Sequence, residues 1–152
     1  MAALLYARRM FYIAQPFRER GYTSKRDIRA IVADDSAVAL AAICSYLENL
    51  GPITVVGTAR TGYELLQKAE QLQPDLVITD LRMPSMSGLE CTLHLRSLLP
   101  STRVIVLTEV EGALARNACI EAGADACLHK SEVPAELTAA LRRLFPKSLG
   151  SL

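Results

Sequence analysis

No stretch of this chain approaches the roughly 20 apolar residues that a membrane-spanning helix needs. The first residues, Met1-Ala2-Ala3-Leu4-Leu5-Tyr6-Ala7-Arg8-Arg9, carry too short an apolar run, with misplaced arginines, for a secretory signal. Cysteine is scarce. Cys44, Cys91, Cys119 and Cys127 are scattered and lack the paired spacing of a metal site. At 152 residues the chain can build its own core and needs no disulfide framework. The four thiols therefore read as reduced, in or near the core, which points to the cytoplasm. There is no internal repeat, no low-complexity tract and no second domain. Charge of either sign is not in excess overall, at +1 net, and 51% of residues are hydrophobic, so composition does not suggest disorder.

The charge is nevertheless uneven. Arg8, Arg9, Arg18, Arg20, Lys25, Arg26 and Arg29 face only Glu19 and Asp27 before residue 30. Such a stretch suits contact with nucleic acid, anionic lipid or an acidic partner. The plainer alternatives are a solvated extension, or a start assigned too far upstream, with Met10 as the second candidate. The expected layout is a basic extension over 1–26, poorly ordered or partly helical, a single domain over 27–147, and a tail over 148–152.

From Asp27 onward, strand-like and helix-like segments alternate. The apolar runs are Ile28–Ala33, Ile53–Thr58, Leu76–Thr79, Val104–Leu107 and Asp125–Leu128. Between and after them lie five segments of helical spacing, stopped by Gly51-Pro52, before Pro74, by Pro100, by Gly123 and by Pro146. Continuous apolar runs are what strands covered on both faces look like. The alternation predicts an α/β fold: a doubly wound five-stranded parallel sheet, flavodoxin-like, in the order 2-1-3-4-5.

In such sheets ligands bind beyond the carboxyl ends of the strands, where strand order reverses. The polar residues that end the runs are Asp34 and Asp35, Asp80, Thr108 and Lys130. Asp80, followed by Arg82-Met83-Pro84 and Gly88, is expected to be displayed to solvent at a strand mouth. Mg²⁺ takes hard oxygen ligands. Asp34, Asp35 and Asp80 would supply three, and the Arg82 carbonyl a fourth. Asp80, central in this set, is the expected nucleophile for a phosphoryl group, giving an aspartyl phosphate. Lys130 and Thr108 would then contact phosphoryl oxygens. Taken singly, each residue has a simpler explanation: an Asp as a turn or cap residue, a Thr as a β-former, a Lys as a solvated charge. It is their joint placement at one sheet edge that indicates chemistry.

These residues lie in segments that resemble the receiver domain of two-component response regulators. The matching pieces are Ile31-Val32-Ala33-Asp34-Asp35, Pro74 to Pro84 around Asp80, Gly88, Val104-Ile105-Val106-Leu107-Thr108, and Ala122 to Lys130. The wording around Val56-Gly57-Thr58-Ala59 and Lys130-Ser131 is most similar to the subfamily that often carries a C-terminal helix-turn-helix. The resemblance implies that Asp80 accepts phosphate from a histidine kinase or a histidine phosphotransfer protein. It further implies Asp34 and Asp35 as magnesium ligands, Thr108 as the switch hydroxyl and Lys130 as the phosphate-contacting amine. Such a chain is a signalling module rather than an enzyme with an external substrate.

Two departures stand out. Cys127 occupies a position where the family usually has Tyr or Phe, and a small thiol cannot reproduce that ring's swing. Lys130-Ser131 stands where many members have Lys-Pro. After Thr108, Glu109 would shield the site and Val110 would orient water poorly, so a long-lived phosphoryl group is expected.

If the chain is complete, with no DNA-binding domain, action through protein contacts is expected, on an unknown downstream protein or in a homodimer. The surface of the fourth helix, fifth strand and fifth helix is the expected face. The alternative is the receiver half of a DNA-binding transcriptional regulator. A flavodoxin would need a hydroxyl- and Gly-rich loop where Asp34-Asp35-Ser36-Ala37 stands. An aspartate-dependent phosphatase would need its two acids one residue apart.

Overall fold

A computed structural model of the chain describes residues 26–150; the expectations for residues 1–25 lie outside the described residues. Strands β1 (Ile28–Ala33), β2 (Ile53–Ala59), β3 (Leu76–Asp80), β4 (Arg103–Thr108) and β5 (Ala126–His129) pair in parallel. Their order is β2-β1-β3-β4-β5. The helices are α1 (Ala37–Leu50), α2 (Gly62–Leu72), α3 (Gly88–Leu98), α4 (Ala113–Glu121), α5 (Ala135–Leu144) and α6 (Pro146–Leu149), with a 3₁₀ turn at Lys130–Glu132. The flavodoxin-like doubly wound sheet read from the sequence is the fold observed.

Strand side chains alternate between two cores, because successive residues of a strand point to opposite faces. On one face Ala30 and Val32 pack with Ile78, Ile105, Leu47 of α1 and Leu141 of α5. On the other, Ile31 and Ala33 pack with Val77, Val106, Leu65 of α2 and Leu95 of α3. This double covering is why the strands read as unbroken apolar runs.

The ends of the elements differ from the expectation in an instructive way. Each of the later strands includes a polar residue placed outside it by the apolar pattern. Asp80 stays in register with Leu107, and Thr108 with His129. Backbone pairing ignores side-chain polarity, so the hydrophobic run underestimates the ladder. In contrast, β5 begins one residue later than expected. The Asp125 carboxylate turns back to accept from the Val104 amide at 2.8 Å and from Arg103 at 3.0 Å.

Packed contacts are found at both expected domain boundaries. Arg26, assigned to the extension, forms an ion pair with Asp75 at 2.8 Å. The fifth helical segment stops before Pro146 as expected, and Pro146 itself starts α6, since proline fits a first helical position where no N–H is needed. That turn buries Leu149, at 1% exposure, so the boundary expected at 147 falls inside a packed helix. At the edge opposite the strand C-termini, Gln73, Asp75, Arg103, Leu144 and Phe145 line a cavity of about 490 Å³.

No described helix is long and apolar enough to cross a membrane.

Candidate functional site

β1, β3 and β4 end at the same edge, and the chain turns sharply after each. After β1, Asp34 still pairs through its amide with the Ala59 carbonyl at 3.1 Å, so it remains at sheet level. Its Oδ1 accepts from the Ser36 N–H at 2.9 Å, and the Ser36 hydroxyl in turn caps α1 through the Ala39 amide. Side-chain caps of this kind satisfy donors that a helix start leaves free. Asp35, one residue on, is exposed, and its carbonyl accepts from Arg60 Nε at 2.9 Å.

After β3 the chain folds tightly enough that Gly88 lies against the Asp80 backbone. A Cβ on Gly88 would sit 2.1 Å from the Asp80 carbonyl oxygen, which only a glycine avoids. The Gly88 N–H donates to the Leu81 carbonyl at 2.9 Å, and Ser87 opens α3 with a reciprocal cap involving Glu90. The turn therefore holds Asp80 at a fixed height at the head of its strand.

Lys130 joins these pieces. Its ammonium lies 2.8 Å from Asp34 Oδ2 and 3.3 Å from Asp80 Oδ2. Asp80 Oδ1 accepts from the Arg82 N–H at 3.3 Å. Asp34, Asp35 and Asp80 each offer an oxygen, and these oxygens lie within 4.8 Å of one another. The expected display of Asp80 to solvent is corrected: Asp80 is 8% exposed and Asp34 only 1%, and of the three acids only Asp35 stands open. Asp34 and Asp80 are both buried although they stand at strand ends.

Burial pushes the Asp80 carboxyl above its ordinary range. The Lys130 ammonium opposes that rise, while the Asp34 charge adds to it. Burial alone would pull Lys130 down, but its hydrogen bond to Asp34 and the Asp80 charge outweigh that and raise it. Lys130 is thus held as an ammonium between two acids. All the nearby acidic donors are hard oxygens, a set that fits a small divalent cation and not a soft one.

The fold therefore brings Asp34, Asp35, Asp80 and Lys130 together, with Arg82 adjoining through its amide. Thr108 shares the edge and is buried, but its hydroxyl is turned to its own loop, accepting from the Val110 N–H at 2.9 Å. Two participants escaped the sequence reading. Arg60, which braces the Asp35 carbonyl, had as its only signal a position just past the second strand. His129, whose ring reaches the Glu109 carbonyl at 3.1 Å, was passed over because it stands between the end of the fifth apolar run and Lys130, and its partner is a backbone carbonyl.

Comparison with known proteins agrees with this fold. The response regulator receiver domain pattern matches residues 30–142. The transcriptional regulatory protein LnrK of Bacillus subtilis is 36% identical over 103 residues, covering 68% of this chain and 47% of LnrK. Among solved structures, the receiver domain of the response regulator NarL from Mycobacterium tuberculosis superposes with a TM-score of 0.69 at 28% identity, covering 76% of this chain and 97% of that one. The isolated REC domain of RcsB from Salmonella enterica serovar Typhimurium, solved with phosphomimetic BeF₃⁻, gives 0.74 at 26% identity, covering 80% and 91%. The chain spans about half the length of the curated relatives it matches.

Proposed function

The chain belongs to the response regulator receiver family, and from that premise we propose that it is a phospho-acceptor switch in a two-component phosphorelay. Asp80 accepts a phosphoryl group from a histidine kinase or a histidine phosphotransfer protein. The observation that carries this reading is the Lys130 ammonium lying between Asp34 and Asp80, beside a cluster of three carboxylates.

In the transfer, an Asp80 carboxylate oxygen attacks phosphorus. A new O–P bond forms as the N–P bond to the donor imidazole breaks, and the leaving nitrogen keeps the electron pair. The barrier is lowered chiefly by positioning and by charge already in place. The Arg82 amide and the Gly88 turn fix the direction of the nucleophile. Lys130 meets one phosphoryl oxygen without leaving the site, and the Thr108 hydroxyl rotates from the Val110 amide toward another. Asp34, Asp35, Asp80 and the Arg82 carbonyl would hold Mg²⁺, which when bound offsets the charge of the carboxylates and of the incoming phosphoryl group.

Phosphorylation adds about −1.5 to −2 charge near neutral pH. Thr108 and Lys130 border α4, β5 and α5, so that surface is the proposed face for a downstream protein or a second copy. A second reading shares this chemistry: the receiver half of a DNA-binding regulator. It is favoured by the relative LnrK, a transcriptional regulatory protein of which this chain covers 47%.

Incubation with acetyl phosphate or phosphoramidate and Mg²⁺ tests the function. Intact mass should rise by one phosphoryl group, and the gain should vanish in Asp80→Asn and on chelation. A gain that persists in Asp80→Asn would move the acceptor elsewhere.

A further inference from the structure

The loop after β4 is tied to β5 by one side chain. His129 pairs with Thr108 in the β4–β5 ladder, so its ring stands beside the loop that Thr108 opens. Its Nδ1 accepts from the Ser131 N–H at 3.1 Å, with the Ser131 hydroxyl at 2.6 Å. A nitrogen that accepts carries no proton, so in the neutral ring the proton sits on Nε2. Nε2 is the atom that meets the Glu109 carbonyl, at 3.1 Å. The imidazole is thereby fixed in one tautomer and donates across the strand gap to the middle residue of the loop.

That loop is otherwise closed on itself. The Thr108 hydroxyl accepts from the Val110 N–H, and Gly112, at φ +105, leads into α4 with nothing crowding it. A cavity of about 190 Å³ lies between Thr108, Val110, Arg116, His129 and Glu132, so the loop has room to move. The same histidine is connected onward. Its backbone N–H donates to Glu132 Oε2 at 2.9 Å, and Arg116 of α4 pairs with that oxygen at 3.5 Å. Cys127, buried in the core, can make none of these contacts.

We propose that His129 is the positioning residue of the switch: its Nε2–H holds the loop of residues 108–110 in the resting arrangement through the Glu109 carbonyl, and phosphorylation of Asp80 releases that bond. When the Thr108 hydroxyl turns to donate to a phosphoryl oxygen, the Val110 N–H loses its acceptor and the Glu109 carbonyl is carried away from the ring. Release reaches α4 through Glu132 and Arg116. The release step rests on the phospho-acceptor reading above; the resting tie does not.

The chain has two histidines, so ¹⁵N spectra of the full chain contain two imidazoles, and the one lost in His129→Gln is His129. In the unphosphorylated protein that ring should show a protonated Nε2 and an accepting Nδ1, and its Nε2 signal should shift when acetyl phosphate and Mg²⁺ label Asp80. Removing the tie in His129→Ala should raise Val110 amide exchange about tenfold, and His129→Gln, which keeps a donor of similar reach, should restore most of the protection. An unchanged His129 signal in protein that mass shows to be phosphorylated overturns the release. Equal Val110 exchange in wild type and His129→Ala overturns the tie itself. Absence of any mass gain overturns the phospho-acceptor function and its release step, while the resting exchange measurement still decides whether the tie exists.

Discussion

Asp80 is held where ionisation is unfavourable, and chemistry and stability pull against each other at that one residue. Its pKa in the folded chain is raised above the ordinary 3.8 by burial first and by the Asp34 charge. A carboxyl raised in the native state favours folding only while protonated. That contribution is full below 3.8 and is lost as pH rises through the raised value. Asp80→Asn should therefore unfold at a higher temperature than wild type at pH 7. The gap should close as pH falls through the raised value toward 3.8, readable in melts followed by circular dichroism at several pH values. An Asn variant that melts lower at pH 7 would mean that the ion pair with Lys130 outweighs burial. Two residues past Thr108, apolar Val110 offers no group to orient an attacking water. Val110→Gln should shorten the phosphoryl lifetime, by up to about tenfold for roughly 1.4 kcal/mol of added stabilisation. The check is loss of the phosphoryl mass after the phosphodonor is removed; equal lifetimes would refute it.

At the scale of elements, the site depends on turns more than on strands. Gly88 shows this most sharply. A methyl group there meets the Asp80 carbonyl oxygen at 2.1 Å, so either α3 or the end of β3 must shift. Gly88→Ala should cost about 1–3 kcal/mol or more in urea unfolding and slow acetyl phosphate labelling with it. If stability and labelling both matched wild type, the turn would not be setting the height of Asp80. Most of the architecture was legible in the sequence, because apolar runs and Gly or Pro stops report burial and chain reversal directly. Asp34, Asp35, Asp80 and Lys130 were legible too, because parallel topology forces the strand ends to one edge. The ends of β3, β4 and β5 were misjudged because an apolar pattern cannot see a polar residue whose backbone still pairs, as at Asp80 and Thr108. His129 and Arg60 went unseen for a related reason. Their partners are the backbone carbonyls of Glu109 and Asp35, and a carbonyl leaves no signature in residue type. The burial of Asp80 was missed because a strand-end position does not reveal how closely the following turn packs, as Gly88 does against the Asp80 backbone.

For the molecule as a whole, the core on the α2 and α3 face of the sheet keeps Cys91 and Cys119 out of reach. Cys91 and Cys119 are fully buried, and burial pushes their thiols up to about 11 and about 12. At pH 8 little thiolate is present, so both should resist a thiol reagent in the native chain and react fully after denaturation. Rapid native labelling of either, located by peptide mass, would show that the core on that face opens readily. The sheet is also polar in a geometric sense, because every strand runs the same way. Arg26 enters beside Asp75, and Leu144 and Phe145 lead out past the same cavity, so the described chain arrives and departs on the side away from the carboxylates. A reporter or tether joined directly at Arg26 would consequently stand on the far side of the sheet from Asp80 and leave that carboxylate uncovered.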